Sequence, residues 1–189
     1  MADGTLKVGT IITSSGSGTI TLGQSGETIT IPSGATVSGA GANTPAFHVY
    51  LSGTQTVSND TFTVVQFDTE SLDTDNAYSI STYRFTPQVA GKYFVYASIA
   101  NNPSGSNNIQ QANIQIRKND SAISKYQFAS STNPVDEIQL HAQIIVDLNG
   151  SSDYVDVRGQ QAVSAGTNRF AGDTTQSRTY FGAYKIIGA

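Results

Sequence analysis

Four carboxylates crowd one short stretch of this sequence, Asp68, Glu70, Asp73 and Asp75. Alternating acids ahead of a turn can present several oxygens to a hard cation, and Ca2+ takes about six to eight oxygen ligands. Asp68, Asp73 and Asp75 are the candidate ligands. An Asp at position 73 can equally hold a turn by accepting backbone N–H groups, and both readings stand on the sequence. Other acids come in pairs, Asp136 with Glu137 and Asp153 with Asp156. A glycosidase needs two carboxyls held across a sugar cleft, and no pattern here marks such a cleft. The two histidines, His48 and His141, lie far apart within strand-like patterns, His48 in an edge-like opening strand and His141 on a polar sheet face. Hydrogen-bonded surface roles suit them better than catalysis. There is no G-x-S-x-G, no H-E-x-x-H and no glycine-rich phosphate loop. With no cysteine, thiolate metal sites are excluded. The chain reads as non-enzymatic, and Ca2+ is its one candidate cofactor.

The elements that carry these residues are short strands. Alternation predicts strands over Ala46–Leu51, Thr61–Phe67, Tyr83–Thr86, Lys92–Ala100, Ala112–Lys118, Ala122–Phe128, Ile138–Leu148, Tyr154–Arg158 and Arg178–Ile187. In the longest, Ile138, Leu140, Ala142, Ile144, Val146 and Leu148 share one face, as one layer of a sandwich requires. The strand around Tyr93 has bulk on both faces, with Phe94 and Tyr96 opposite Tyr93 and Val95, so both faces must be covered. Three polar loops, 101–111, 130–137 and 163–177, offer contact surface on such a scaffold. They and their borders hold the candidate contact residues Asn107, Asn108, Asp136, Arg169 and Arg178.

Composition narrows the partners. The 189 residues carry a net charge of -4, and the ten Lys and Arg are scattered along the sequence, so nothing suggests a phosphate-binding surface and nucleic acid is not an expected partner. No run reaches the roughly 20 apolar residues of a membrane-spanning helix, so no membrane insertion is expected. The start MADGTLKVGT lacks the apolar core of a signal peptide. Zero cysteine fits folding in a reducing cytoplasm.

Residues 1–44 differ in texture from 45–189. β-Branched patches recur at Thr10–Thr13, Thr19–Leu22 and Thr28–Ile31, each ended by Gly, Ser or Pro. This is a weak repeat of very short strands. Its few aliphatic side chains cannot offset the backbone entropy of ordering it alone. It is expected to order against copies of itself or against another protein.

From Phe67 the chain reads FDTESLDTDNAYSISTYRFTPQVAGKYFVYA. Phe67, Asp73, Tyr78, Phe85, Gly91 and Tyr93 fall on six fixed positions of the pattern F-x5-[ND]-x4-[FYWL]-x6-F-x5-G-x-Y-x-F-x-[FY]. That pattern is the signature of the C1q-like domain. Val95 and Ala97 depart from its last two positions. Pro45–Gly53 (PAFHVYLSG) resembles the family's opening strand, and Ile114–Asp120 (IQIRKND) its Lys-Asn-Gly strand end. Val146–Gly159 resembles its Leu-x-x-Gly-Asp-x-Val turn, and Phe181–Ile187 (FGAYKII) its closing strand. The resemblance implies an all-β C1q/TNF-like jelly-roll sandwich over residues 45–189.

It further implies a homotrimer, whose interface is expected to include Phe94, Tyr96 and Tyr184. If the Tyr93 strand faces the three-fold axis, Val95 and Ala97 give that axis smaller side chains than the family uses. Some C1q-like trimers bind Ca2+, which bears on the acidic cluster. The arm 1–44 resembles low-complexity β-repeats of virion proteins of marine bacteriophages. Together these imply a virion structural protein made in the host cytoplasm, docked to other virion proteins by its arm and exposed on the particle. The first reading is a tail fibre or tip touching a host surface glycan or protein. The alternatives are a capsid decoration protein and a cellular C1q-like ligand-binding module.

Overall fold

The computed structural model describes residues 43–105, 109–130, 132–176 and 178–187, together with 11, 20, 21, 25, 26, 28–30 and 33. The chain divides into two compact units, Met1–Ala40 and Gly41–Ala189. The β-repeat expected of residues 1–44 lies almost wholly outside the described residues.

The described chain from residue 43 onward contains strands and no helix. They are β1 (Ala46–Tyr50), β2 (Thr54–Thr56), β3 (Thr63–Val64), β4 (Thr69–Asp73), β5 (Tyr78–Ser79), β6 (Arg84–Phe85) and β7 (Gly91–Asn101). There follow β8 (Ile109–Lys118), β9 (Ser121–Ala129), β10 (Ile138–Leu148), β11 (Val155–Val163), β12 (Arg169–Ala171) and β13 (Tyr180–Lys185). In the first sheet β7 is flanked by β10 on one side and by β13 and β12 on the other. β13 pairs with β1, which pairs with β4, while β12 pairs with β2. The second sheet runs β5-β6-β11-β8-β9, with β3 also on β11. Every pairing is antiparallel. Two such sheets face to face make a jelly-roll sandwich.

The core lies between the inner rows. β7 contributes Tyr93, Val95, Ala97 and Ile99, and β13 contributes Phe181 and Ala183; β8 and β11 supply Ile114, Ile116, Val155 and Val157. At its centre Phe47 stacks on Phe85 with centroids 4.4 Å apart and on Tyr78 at 5.4 Å, and meets Phe181 edge-on at 4.8 Å. Such offset and edge contacts add to the burial itself. The even residues of β10 do share one face: Ala142, Val146 and Leu148 are buried, with Leu140 and Ile144 packed beside them.

Four expectations need correction. Val95 and Ala97 point into the sandwich, not towards an outer axis. Both are essentially fully buried, and Ala97 stands in register with Phe181. The small side chain at 97 is matched by a large one on the neighbouring strand. His48 does not lie on an edge, because β1 sits between β13 and β4. The acidic run does lie ahead of a turn, but Thr69–Asp73, absent from the expected strands, forms the edge strand β4. Finally, the loop 163–177 contains β12, which closes over β7.

Candidate functional site

The sandwich has two outward faces of opposite character, both dictated by strand phase. On the first sheet, residues alternating with the core row point outward in registered rows. Ile145, Phe94, Tyr184 and Ala46 form one row; Gln143, Tyr96, Gly182, His48 and Leu72 form the next. His141, Ser98, Tyr180 and Tyr50 form a third. Phe94 packs on Tyr184 at 5.5 Å and on Tyr96 at 6.1 Å, and Tyr180 lies 6.3 Å from Tyr96. The residues expected at an interface, Phe94, Tyr96 and Tyr184, are thus brought together as one aromatic surface. Ile145 and Leu72 border it at 59% and 48% exposure.

Gly182 makes this surface possible. A Cβ there would lie 2.4 Å from Tyr96 Oη and 2.8 Å from the Phe47 carbonyl oxygen. Without one, the Tyr96 ring crosses β13 and reaches His48 Nδ1 at 3.0 Å. His48 also rests against Tyr180, centroids 5.6 Å apart, and His141 approaches the same ring at 6.4 Å. Burial lowers the His48 pKa, favouring neutral imidazole, and burial raises the Tyr96 phenol. Sequence periodicity alone missed Tyr180, His48 and Ile145 as members of this surface. Their common phase becomes readable once β1, β10 and β13 are set beside β7.

The signature residues are structural. Phe67, Tyr78, Phe85 and Tyr93 are all buried in the core. Tyr78 donates from its hydroxyl to the Phe67 carbonyl, and Tyr93 to the Val89 carbonyl. Burial raises both phenols, Tyr93 to about 12. Gly91 adopts φ +151°, opening β7 opposite Lys185. Asp73 closes the turn that precedes β5: its carboxylate accepts the backbone N–H of Asp75, Ala77 and Tyr78.

The candidate Ca2+ ligands are not brought together. Asp68 accepts from the backbone N–H and hydroxyl of Ser52 and from Thr69 Oγ1. With the Asp73 oxygens turned to the turn backbone, the two carboxylates serve different local structures. Among the described residues no group of three or more His, Asp or Glu is placed to hold a metal ion.

The three polar loops share one end of the sandwich, where β1 and β7 end and β10 and β13 begin. Arg178 Nη2 donates to Glu137 and Asn102 Nδ2 donates to the same carboxylate. Arg169 Nε donates to the Asn102 carbonyl oxygen. Arg169 and Arg178 are therefore joined through Asn102 and Glu137, with Asp136 adjacent in sequence. Asn107 and Asn108 lie outside the described residues.

The second sheet turns a polar face outward. Asp156 on β11 stands opposite Arg117 on β8, and Arg158 lies two residues along. Asp156 is 1% exposed, and burial raises its pKa against the pull of Arg158, Arg117 and Arg84. Asp153, its sequence neighbour, instead pairs with Lys118 at 2.8 Å, which lowers its pKa. The two acids serve separate ion pairs.

Comparison with known proteins agrees with this geometry. The family model of the C1q domain matches residues 46–184. No curated protein matches the chain. Among solved structures, the globular domain of zebrafish complement 1qA is similar over 75% of this chain and 97% of its own, at 15% identity and TM-score 0.52. The Eiger TNF of S. frugiperda is similar over 76% and 93%, at 19% identity and TM-score 0.53. Murine APRIL is similar over 75% and 98%, at 10% identity and TM-score 0.54. These likenesses are of fold.

Proposed function

Because this chain belongs to the C1q domain family, whose model matches residues 46–184, we propose that it is a non-enzymatic, homotrimeric module of a bacteriophage virion. Residues 1–44 dock it to other virion proteins, and the jelly roll stands exposed as a tail fibre or tip protein that contacts the host surface. The observation that carries the trimer is the aromatic outer face of the first sheet. A monomer leaves Ile145, Leu72 and Tyr184 in water beside Phe94 and Tyr96. Contiguous exposed apolar surface of this kind favours association. Family members form homotrimers, and a closed ring of three copies covers that face without open ends. The Thr-Ile repeat read in the sequence of the arm is the feature that supports docking.

Two measurements test this. Sedimentation equilibrium of the full chain should give three times its 19.9 kDa mass at micromolar concentration; a monomer overturns the trimer. Immunogold labelling of purified particles should mark the tail. Label spread over the capsid favours a decoration protein, and particles without label overturn the virion role.

A further inference from the structure

Three of the chain's five arginines, Arg84, Arg117 and Arg158, gather on the outer face of the second sheet. All three Nε atoms point at one carboxylate. Arg158 Nε lies 3.8 Å from Asp156 Oδ1, Arg117 Nε 4.0 Å from the same oxygen, and Arg84 Nε 4.0 Å from Oδ2. These separations are too long for hydrogen bonds. Both Asp156 oxygens and the Nε of Arg117 and Arg158 are buried without a hydrogen-bond partner. A buried carboxylate in this position is a shared counter-ion that keeps three like charges side by side.

The outer edges of the guanidinium groups are held as well. Arg158 Nη2 donates to Asp120 Oδ1 at 2.9 Å, Arg117 Nη1 to Gln115 Oε1 at 3.3 Å, and Arg84 lies 3.9 Å over the Tyr154 ring. Tyr154 is itself fixed by donating to Asp120 Oδ2. Three cations against Asp156 and Asp120 leave positive charge in a chain of net charge -4. The arginine side chains remain 18–38% exposed. Across β8, exposed Lys125 faces the same way in register with Gln115, which is in register with Arg158. Two strand spacings separate Lys125 from Arg158, roughly 10 Å.

We propose that this face binds an acidic, carboxylate-bearing polysaccharide. A sugar carboxylate meets the planar edges of the fixed guanidinium groups, and acidic units further along the chain reach Lys125. Guanidinium forks match carboxylates geometrically, and groups already held in place lose little freedom on binding. Four cations beside two acids suit a sparsely charged, hydroxyl-rich polymer, whereas nucleic acid calls for a broad basic surface. Asp156 acts as a positioning residue. The proposal names a ligand class for the host contact proposed above and rests on that reading only there, because its own test needs no particle.

The test is calorimetric titration of the full chain with polygalacturonate, dextran and dextran sulfate. Polygalacturonate should bind, dextran should not, and binding should weaken at high salt. Lys125→Glu, at an exposed position, should keep the wild-type melting temperature. Arg84→Gln, which removes one of the three cations facing Asp156, should lower it while circular dichroism shows the native fold. Arg84→Gln should weaken polygalacturonate binding about tenfold or more, the loss of one charge-assisted pair, and Lys125→Glu should weaken it in the same direction. No binding by the wild type, undiminished binding by both variants, or tighter binding of dextran sulfate than of polygalacturonate overturns the proposal. Failure of binding by a chain that is trimeric and found on particles refutes this site alone. Binding by a chain absent from particles refutes the virion role alone.

Discussion

Tyr96 lies across Gly182, its hydroxyl occupying the place where any other residue would carry a Cβ, only 2.4 Å away. That one relationship connects β7, β13 and β1, because the same hydroxyl meets His48 at 3.0 Å. Gly182→Ala should therefore push Tyr96 off β13 and strain the backbone at Phe47. The expected cost is about 1–3 kcal/mol in stability, together with loss of the trimer at concentrations where the wild type assembles. Denaturant melts and sedimentation of the variant check both.

Ile145→Asp separates folding from assembly. The residue is 59% exposed in the single chain, so the substitution should change monomer stability by no more than about 0.5 kcal/mol. Placed beside Phe94 in a packed interface, the carboxylate would be buried without a partner. A well-folded monomer by circular dichroism and light scattering is the expected result; an intact trimer would show that another face associates.

Asp73→Ala removes an acceptor shared by three backbone N–H groups. A loss of about 2 kcal/mol or more is expected, read as a lower denaturation midpoint. Millimolar Ca2+ should leave the wild-type midpoint unchanged, since Asp68, Asp73 and Asp75 are not placed as a ligand set.

Burial lowers the folded pKa of His48 from its ordinary value of 6.5. The unfolded chain then binds more protons between the two pKa values, and stability rises with pH across that window. The contribution is complete above about pH 6.5 and is lost as pH falls through the folded pKa. Melting temperature should drop between pH 7 and 5, and His48→Gln should flatten that part of the profile.

Ala97→Phe would restore an aromatic at a position where the family pattern calls for one. In this chain Phe181 stands in register with Ala97 inside the core. Overpacking should cost about 1–3 kcal/mol, measured by equilibrium unfolding.

The core was largely legible in the sequence because period-two alternation and large aromatics are strong local signals. Ile138–Leu148 has the predicted bounds, and Phe67, Tyr78, Phe85 and Tyr93 are core as the pattern implies. The short strands β2, β5 and β12 escaped, since two or three residues carry no periodicity and form only by pairing with distant partners. The acidic character of β4 hid an edge strand, where charge is a common guard against further pairing. The arginine cluster was invisible for a different reason. Arg84, Arg117 and Arg158 are scattered along the chain and meet only through the pairing of β6, β11 and β8.

The chain enters the sandwich at Pro45 and leaves it at Lys185, whose N–H donates to the Pro45 carbonyl at 3.2 Å. Entry and exit are thus side by side, at the end away from the polar loops. Tension applied between those two points would open β1 from β13 like a zipper, one hydrogen bond at a time. Tension between the arm and something held at the far end loads β1 lengthwise instead, sliding it against β13 and β4 so that many bonds must yield together. The same strand is weak to peeling and strong to pulling, so the direction of a load decides how readily the sandwich opens.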